Sequence, residues 1–276
     1  MIAGLVLLLG GAAAGVFGSL LGLGGGVLIV PLLTLGFGLP LREAVAISLV
    51  SVIVTSSASS GVYLQRHFAN LRLGMVLELF SASGALAGGL IAFLLSERML
   101  AGLFAALLVW VSVSMLRRKD LAPGVPVSAA TAGDGVMTDT RPAFTETLGG
   151  PGYRVHSLPL GMGGSVFAGL VSALLGVGGG IVKVPTMHLL MGVPMKVATA
   201  TSNMMIGITA TSSAVIYLLR GQIDPYVAGP TAIGVFAGAM IGTRIAHRVD
   251  TRILRWLFVV VLLYTAVEMG LKALGL

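Results

Sequence analysis

Two stretches of the chain decide its fold: G-S-L-L-G-L-G-G-G-V-L-I-V-P at Gly18–Pro31 and S-A-L-L-G-V-G-G-G-I-V-K-V-P at Ser172–Pro185. The second stretch lies 154 residues after the first. At this offset, 20 of the 52 positions between Gly15 and Arg66 are identical without a gap. Chance would give far fewer identities at this composition, so the chain is a tandem repeat.

The composition places both halves in a membrane. Of the 276 residues, 56% are hydrophobic and 10% are charged, and the mean hydropathy is +1.01. Soluble domains carry about 25% charged residues, so the composition argues against a water-soluble enzyme, and we predict no enzymatic activity. The chain has no cysteine, and its four histidines and ten acidic residues show no metal-ligand spacing. We therefore predict no metal site and no cofactor. The net charge of +7 indicates loops beside anionic lipid rather than nucleic-acid binding.

Each half divides into five apolar segments. They lie near 3–21, 27–38, 42–64, 73–95 and 99–116 in the first half, and near 158–175, 181–191, 196–219, 226–246 and 253–271 in the second. We predict a first membrane repeat at 1–116, a flexible extramembrane linker rich in proline, glycine and charge at 117–157, and a second repeat at 158–276. The first segment is interpreted as a span rather than a signal peptide, because no basic residue precedes it and the second repeat has a counterpart.

The second segment of each half is too short to cross a bilayer as a helix. Twelve helical residues rise about 18 Å, whereas the hydrocarbon core is about 30 Å thick. Three glycines precede each of these segments, and Pro31 or Pro185 lies within it. The pattern predicts a broken or re-entrant helix, which survives at membrane depth only inside protein or beside a wet cavity.

The basic residues predict the orientation. If the first two segments of each half return the chain to the side where it started, twelve Lys and Arg residues lie on one side. The other side then carries only Arg42, Arg98, Arg220 and Lys272. If the two segments made a single crossing, the split would be nine against seven. The positive-inside rule therefore favours halves of odd parity. The predicted fold is an all-α polytopic membrane protein with two inverted-topology repeats and a cytoplasmic linker.

Inverted halves with interrupted helices at matching positions are typical of secondary transporters that bind substrate near the membrane midplane. The first N–H groups of each short helix have no partner within the helix, and two such helix starts favour an anion. The predicted backbone ligands are Gly24, Gly25 and Gly26 with their counterparts Gly178, Gly179 and Gly180. The alternative is that these glycines only permit close helix packing.

The third segment of each half carries a polar stripe on one helix face. Ser48, Thr55 and Ser59 recur as Ser202, Thr209 and Ser213, and Asn203 adds an amide where the first half has Leu49. We predict Ser48, Thr55, Ser202, Asn203 and Thr209 as substrate ligands. The alternative is that the hydroxyls bond back to their own helix.

Four charged residues are further candidates. Lys183, whose counterpart is Ile29, lies inside an apolar segment, where it either completes an anion site or snorkels to water. Glu78 either carries a coupling proton or pairs with an arginine. Arg66 and Arg220 end the third segments as gating residues, or as plain matches to the helix dipole.

The doubled motif resembles the sulfite exporter TauE/SafE family, also called the toluene-sulfonate uptake permease group. The following P-x-x-x-A-x-A-x-S, at Pro40–Ser48 and Pro194–Ser202, is also typical of that family. The resemblance covers nearly the whole chain except the linker, and the second motif departs from it at Ser172.

This resemblance implies a secondary transporter of small sulfur-containing anions, such as sulfite, sulfoacetate or other organosulfonates. It implies export more than uptake, and a place in the inner cell membrane. The expected partners are the anion and the lipid bilayer. A coupling proton or sodium ion and a homodimer stay open. The alternatives are an anion channel and a non-transporting scaffold or assembly protein.

The charge split makes a prediction about topology. A cysteine introduced at Ala130 is expected to be protected from impermeant thiol reagents added outside intact cells, whereas one at Glu97 is expected to be labelled. Labelling before and after permeabilisation measures both, on a background without native cysteine. The reverse pattern would overturn the orientation.

Overall fold

The structure, a computed structural model, describes residues 2–21, 25–65, 69–117, 148–149, 153, 155–245 and 251–274. Within them the first repeat contains α1 (Ile2–Leu21), α2 (Gly26–Pro31), α3 (Leu41–Gln65), α4 (Leu71–Leu94) and α5 (Glu97–Arg117). The second contains α6 (Leu158–Leu175), α7 (Gly180–Pro185), α8 (Met195–Leu219), α9 (Pro225–Ile245) and α10 (Thr251–Leu274). Most of the predicted linker, 118–147, lies outside the described residues, so the domain boundaries stay a prediction.

The long helices are membrane spans by length and composition. Six helices of the described chain are long and apolar enough to cross a bilayer, and shorter apolar helices accompany them. Large apolar side chains such as Leu79, Leu94 and Leu219 are exposed on the outside of the bundle, as expected for a surface that faces lipid. The chain is therefore a multi-pass membrane protein, as the composition predicted.

The short second segment of each repeat is a broken helix, as predicted. Helix α2 runs six residues to Pro31 and continues as one π-helical turn at Leu32–Gly36. Helix α7 repeats this to Pro185, followed by Thr186–Leu190. Proline removes an N–H from the helical ladder, and the wider π turn accommodates the interruption. Neither element is long enough to span the bilayer.

The two repeats pack together through pairs of helices, one from each repeat. The first helix of one repeat lies along the fourth helix of the other, so that α1 packs on α9 and α6 packs on α4. The third helices α3 and α8 pack together, as do the fifth helices α5 and α10. This arrangement has the pattern of a two-fold axis between the repeats.

Glycines bring the backbones of these paired first and fourth helices into contact. A Cβ atom added at Gly238 would lie 2.0 Å from the carbonyl oxygen of Ala12, and one at Gly84 would lie 2.1 Å from that of Val166. Gly84 and Ala12 are the counterparts of Gly238 and Val166 at the 154-residue offset. The same interface is therefore built twice, with glycine at the same place each time.

The contacts also establish the helix directions. Helix α4 runs parallel to both α6 and α8, because contacts along each pair advance in step. They are Gly84–Val166 and Gly88–Leu170 for α4 with α6, and Gly74–Met204 and Gly89–Ile216 for α4 with α8. Helices α6 and α8 are therefore parallel to each other. The broken helix between them must carry the chain back across, which confirms the predicted odd parity.

Helices α3 and α8 run in opposite directions. Ser60 of α3 donates a hydrogen bond to the carbonyl oxygen of Asn203 (3.4 Å), while Ser56, one turn earlier on α3, lies against Gly207, one turn later on α8. Because α3 and α8 are corresponding helices, the two repeats have inverted topology, as the charge count predicted.

A capping asparagine ties the second repeat to the first. Asn70 begins α4 by accepting a hydrogen bond from the N–H of Leu73 (3.1 Å), as N-cap side chains do. Its amide donates to the carbonyl of Leu148 (2.8 Å) and to the Tyr153 hydroxyl (2.7 Å). Its own N–H donates to Thr201 of α8 (2.9 Å). Burial raises the pKa of Tyr153 above its usual value.

The glycine interface makes a stability prediction. Gly238→Ala is expected to lower the free energy of unfolding by about 1–3 kcal/mol, the usual cost of overpacking a tight interface, because its new methyl group collides with the α1 backbone. Gly229→Ala on the same helix is the control, since a Cβ there meets nothing within 4 Å. Thermal unfolding in detergent compares the two variants, and equal midpoints would contradict the interpretation.

Candidate functional site

The two glycine turns begin the broken helices in the same way. Gly25 and Gly179 precede α2 and α7 with φ of 77° and 75°, in the left-handed region that favours glycine. The carbonyl of Gly179 accepts from the N–H groups of Val182 (3.1 Å) and Lys183 (3.0 Å), and Gly25 does the same for Leu28 and Ile29. The N–H groups at the start of each helix have no partner one turn back, as at any helix start.

Ser48 brings the two turns together. Its hydroxyl donates to the carbonyl oxygen of Gly176 (2.7 Å), just before the second turn, and lies 3.3 Å from the carbonyl oxygen of Gly26. A Cβ added at Gly26 would lie 2.4 Å from the same Gly176 oxygen. The structure thus joins Ser48 and both glycine segments at one place, between α3 and the two broken helices.

Two hydroxyl groups without a partner in the described part of the chain flank the start of α7. Ser202 Oγ lies 3.5 Å from where a Cβ of Gly180 would be, and the Cβ of Ser172 lies 3.4 Å from where that of Gly179 would be. Both side chains are buried, and neither oxygen has a hydrogen-bond partner among the described residues. A buried polar group left unpaired costs about 1–3 kcal/mol. Both hydroxyls are therefore candidates for contact with a ligand.

Lys183 does not snorkel to water. Only 1% of it is exposed, and its Nζ lies 3.0 Å from Oε2 of Glu78 on α4. Nζ also donates to Oγ1 of Thr209 on α8 (2.5 Å), and that hydroxyl donates to Oε1 of Glu78 (2.6 Å). Three elements from both repeats therefore meet in a closed ring of hydrogen bonds. The cation that pairs with Glu78 is Lys183, and no arginine of the described residues takes part.

This charged ring belongs to the second broken helix alone. At the 154-residue offset the counterparts of Lys183, Glu78 and Thr209 are Ile29, Ala232 and Thr55. Ser172 likewise replaces Gly18 of the first repeat. The backbone keeps its two-fold pattern while the chemistry does not, so the donors concentrate around α7.

The remaining predicted residues lie in several places. Thr55 Oγ1 donates to the carbonyl of Val52 in its own helix (3.0 Å), in line with the structural alternative. The carbonyl of Asn203 accepts from Ser56, which joins α8 to α3. Gly24 and Arg66 lie outside the described residues.

Arg220 lies at one end of the bundle. Its guanidinium carbon is 5.1 Å from the centre of the Phe93 ring, and that of Arg42 is 5.8 Å from the same ring. A cavity of about 440 Å³ opens at the same end, lined by Leu41, Arg98 and Lys272 among others. The four basic residues that the charge count assigns to the side with fewer charges, Arg42, Arg98, Arg220 and Lys272, thus lie at one end, as predicted. None of the predicted ligands lines this cavity.

Sequence reasoning missed two buried hydroxyls. Ser172 stood in the motif as a departure from the glycine of the first copy, and that substitution was the available signal. Ser81, one turn after Glu78 on α4, is also buried and unpartnered among the described residues. Its sequence context, S-A-S-G, is that of ordinary helix packing, so nothing in the sequence distinguished it.

Comparison with known proteins gives a consistent result. The profile of the sulfite exporter TauE/SafE family matches residues 7–269. The probable membrane transporter protein YunE of Bacillus subtilis is 26% identical, over 94% of each chain. The probable membrane transporter protein MamO of Magnetospirillum gryphiswaldense is 25% identical over 93% of this chain and 43% of its own length. The sulfite exporter TauE/SafE family protein 6 of Arabidopsis thaliana is 34% identical over 31% of this chain and 20% of its own. No solved structure matches significantly.

The buried ring makes a prediction about coupling. Lys183→Met leaves Glu78 buried without its cation, and Glu78→Gln leaves Lys183 buried without its anion. Each is expected to lower the free energy of unfolding by about 3–5 kcal/mol, the usual cost of breaking a buried ion pair. The double variant is expected to lose clearly less than the sum.

Thermal unfolding of all four proteins completes the double-mutant cycle. Lys183→Met combined with Glu97→Gln is the control, because Glu97 is exposed and lies outside the ring. That pair should be additive. Additivity of the Glu78 and Lys183 variants would mean that the two side chains do not interact.

Proposed function

This chain belongs to the sulfite exporter TauE/SafE family, and on that premise we propose that it is a secondary transporter that exports small sulfur-containing anions. The proposed substrates are sulfite, sulfoacetate and other organosulfonates. We place the protein in the inner cell membrane with the 117–157 linker on the cytoplasmic side, as the basic residues favour.

One observation supports this site above others: hydroxyl groups that have no partner among the described residues lie together where α7 begins. Sulfite and sulfonate groups present oxygen acceptors in several directions at once. The hydroxyls of Ser172 and Ser202, which have no partner among the described residues, lie beside the start of α7. The first N–H groups of α7 have no partner within the helix. Donors without acceptors of their own suit an anion. The ammonium of Lys183, one turn further along α7, adds a positive charge, although in this structure it is bonded to Glu78 and Thr209.

The site is closed on both sides in this structure. Ser48, Ser202 and Lys183 are each at most 1% exposed. An anion therefore reaches the site only when the elements around it move, which favours a carrier over a channel. In the proposed cycle the glycine turns separate on one face of the membrane and then on the other, as inverted repeats permit.

A flux assay tests the proposal. Purified protein in proteoliposomes loaded with unlabelled sulfoacetate is expected to accumulate labelled sulfoacetate transiently against its gradient, and the rate should saturate. A channel gives flux without such counterflow, and a scaffold gives none. Chloride and acetate serve as competing anions. If they inhibit uptake of the label as strongly as unlabelled sulfoacetate does, the transporter is not specific for sulfur-containing anions.

Two corresponding serines separate binding from stability. Ser202→Ala removes a hydroxyl that has no partner in the described protein, so unfolding should be unchanged while anion affinity falls by about 1.5–3 kcal/mol, the value of a hydrogen bond to a charged group. Ser48→Ala, its counterpart, breaks the bond to Gly176 and should lower stability. Isothermal titration with sulfoacetate and thermal unfolding measure both properties. Unchanged affinity in Ser202→Ala would remove this hydroxyl from the site.

A further inference from the structure

The buried ring of Lys183, Glu78 and Thr209 is electrically complete without a ligand. The ammonium faces a carboxylate at 3.0 Å, and the Thr209 hydroxyl bonds to the other carboxylate oxygen at 2.6 Å. Glu78 is 4% exposed and Lys183 is 1% exposed, so water does not screen the pair. Lys183 is therefore already paired when the site is empty.

A sulfonate group that approaches Lys183 would add one uncompensated negative charge beside the pair. Two anions beside one cation are unfavourable in a medium of low dielectric constant, where Coulomb interactions are strong. A buried carboxylate that loses its cation takes up a proton instead of remaining charged. Neutrality at Lys183 is restored when one proton binds to a Glu78 oxygen and the sulfonate group takes the place of the carboxylate.

We propose that Glu78 and the substrate anion compete for Lys183, so that each anion bound brings one proton onto Glu78 and transport couples one proton to one anion. This inference rests on the proposed function and specifies its coupling ion. The proton comes from water, the contact between Nζ and Oε2 is lost, and a contact between Nζ and the anion replaces it. Release of the anion on the other side returns the proton and restores the pair.

The surroundings leave Glu78 as the group that takes the proton. Helix α6, which packs on α4, contains no titratable side chain. The broken helix supplies only Lys183, and His188 in the π turn that follows is bonded to the Val193 carbonyl (2.9 Å). On α8, Tyr217 donates to the Ala173 carbonyl (2.9 Å), and the Lys196 side chain lies outside the described part. Arg72 of α4 is exposed, six residues before Glu78.

The coupling is independent of the direction of net transport. A carrier that moves one anion with one proton runs either way, and the gradients of both species decide the direction.

Thr209 has a positioning role: its hydroxyl bonds to the carboxylate that must be released, and it also contacts the ammonium that receives the anion.

Proteoliposomes test the coupling directly. Wild-type protein with an outward gradient of sulfoacetate is expected to move protons outward, recorded by a trapped pH dye, in a ratio of one per labelled anion. Sulfoacetate is chosen because its acid groups stay ionised between about pH 6 and pH 9. In that range, the affinity of the wild-type protein for sulfoacetate should fall by up to about tenfold for each unit by which the pH is raised, which is the slope for one linked proton.

Glu78→Gln imitates the protonated carboxyl. It is expected to carry sulfoacetate without carrying protons, to bind it more tightly than wild type at high pH, and to lose the pH dependence. Bound anion should also raise its thermal stability more than that of wild type, because it supplies the negative charge that Lys183 has lost. Glu97→Gln, an exposed carboxyl outside the ring, should behave as wild type.

The outcomes are distinguishable. Net sulfoacetate efflux in wild type without proton movement, or proton coupling that persists in Glu78→Gln, overturns the coupling and leaves the transporter standing. Absence of any sulfur-anion counterflow in wild type overturns the proposed function and the coupling together. If Glu78→Gln does not fold, proton uptake by wild type on binding sulfoacetate in weakly buffered detergent decides: one proton per anion supports the inference, and none overturns it.

Discussion

Every backbone N–H and C=O group inside a bilayer must find a partner within the protein, and the rest of this structure follows from that constraint. A broken helix leaves such groups free at both of its ends. It can exist at membrane depth only if other helices enclose it. The long helices provide that enclosure by approaching each other at glycine, where backbones nearly touch, as at Gly238 against Ala12 and at Gly84 against Val166. The glycine-rich interfaces between the repeats are therefore the condition for having two broken helices.

The two-fold pattern of the backbone and the one-sided chemistry serve different ends. Repetition of one interface builds a scaffold in which α2 and α7 have the same surroundings and return the chain in the same way. A symmetric scaffold needs no charge. The second broken helix nevertheless carries Lys183 where the first has Ile29, and a carboxylate from the other repeat comes to meet it. Since a buried charge is costly without a function, this break in symmetry is the reason for proposing the functional site at α7.

Much of the fold could be predicted from the sequence because the signals involved are local or come from comparing one half of the chain with the other. Internal identity reveals the repeat, segment length separates spans from the broken helices, and the distribution of arginine and lysine favours odd parity. The observed helices, such as Leu41–Gln65 and Leu158–Leu175, agree closely with the apolar segments. Glycine and proline at corresponding positions likewise indicate the interruption, because their effects on the backbone do not depend on distant neighbours.

The sequence by itself therefore determined the class, the inverted repeats, the broken helices and Lys183 as the exceptional residue. Only the tertiary structure decided which groups meet. Glu78 and Lys183 are 105 residues apart, and nothing local in M-V-L-E-L-F or I-V-K-V-P indicates that they form a pair. The structure likewise separated Ser48, which bonds to Gly176, from its counterpart Ser202, whose hydroxyl has no partner among the described residues. Identical residues at corresponding positions differ because a hydrogen bond is made by the atoms that packing brings within reach, and packing is a property of the whole chain.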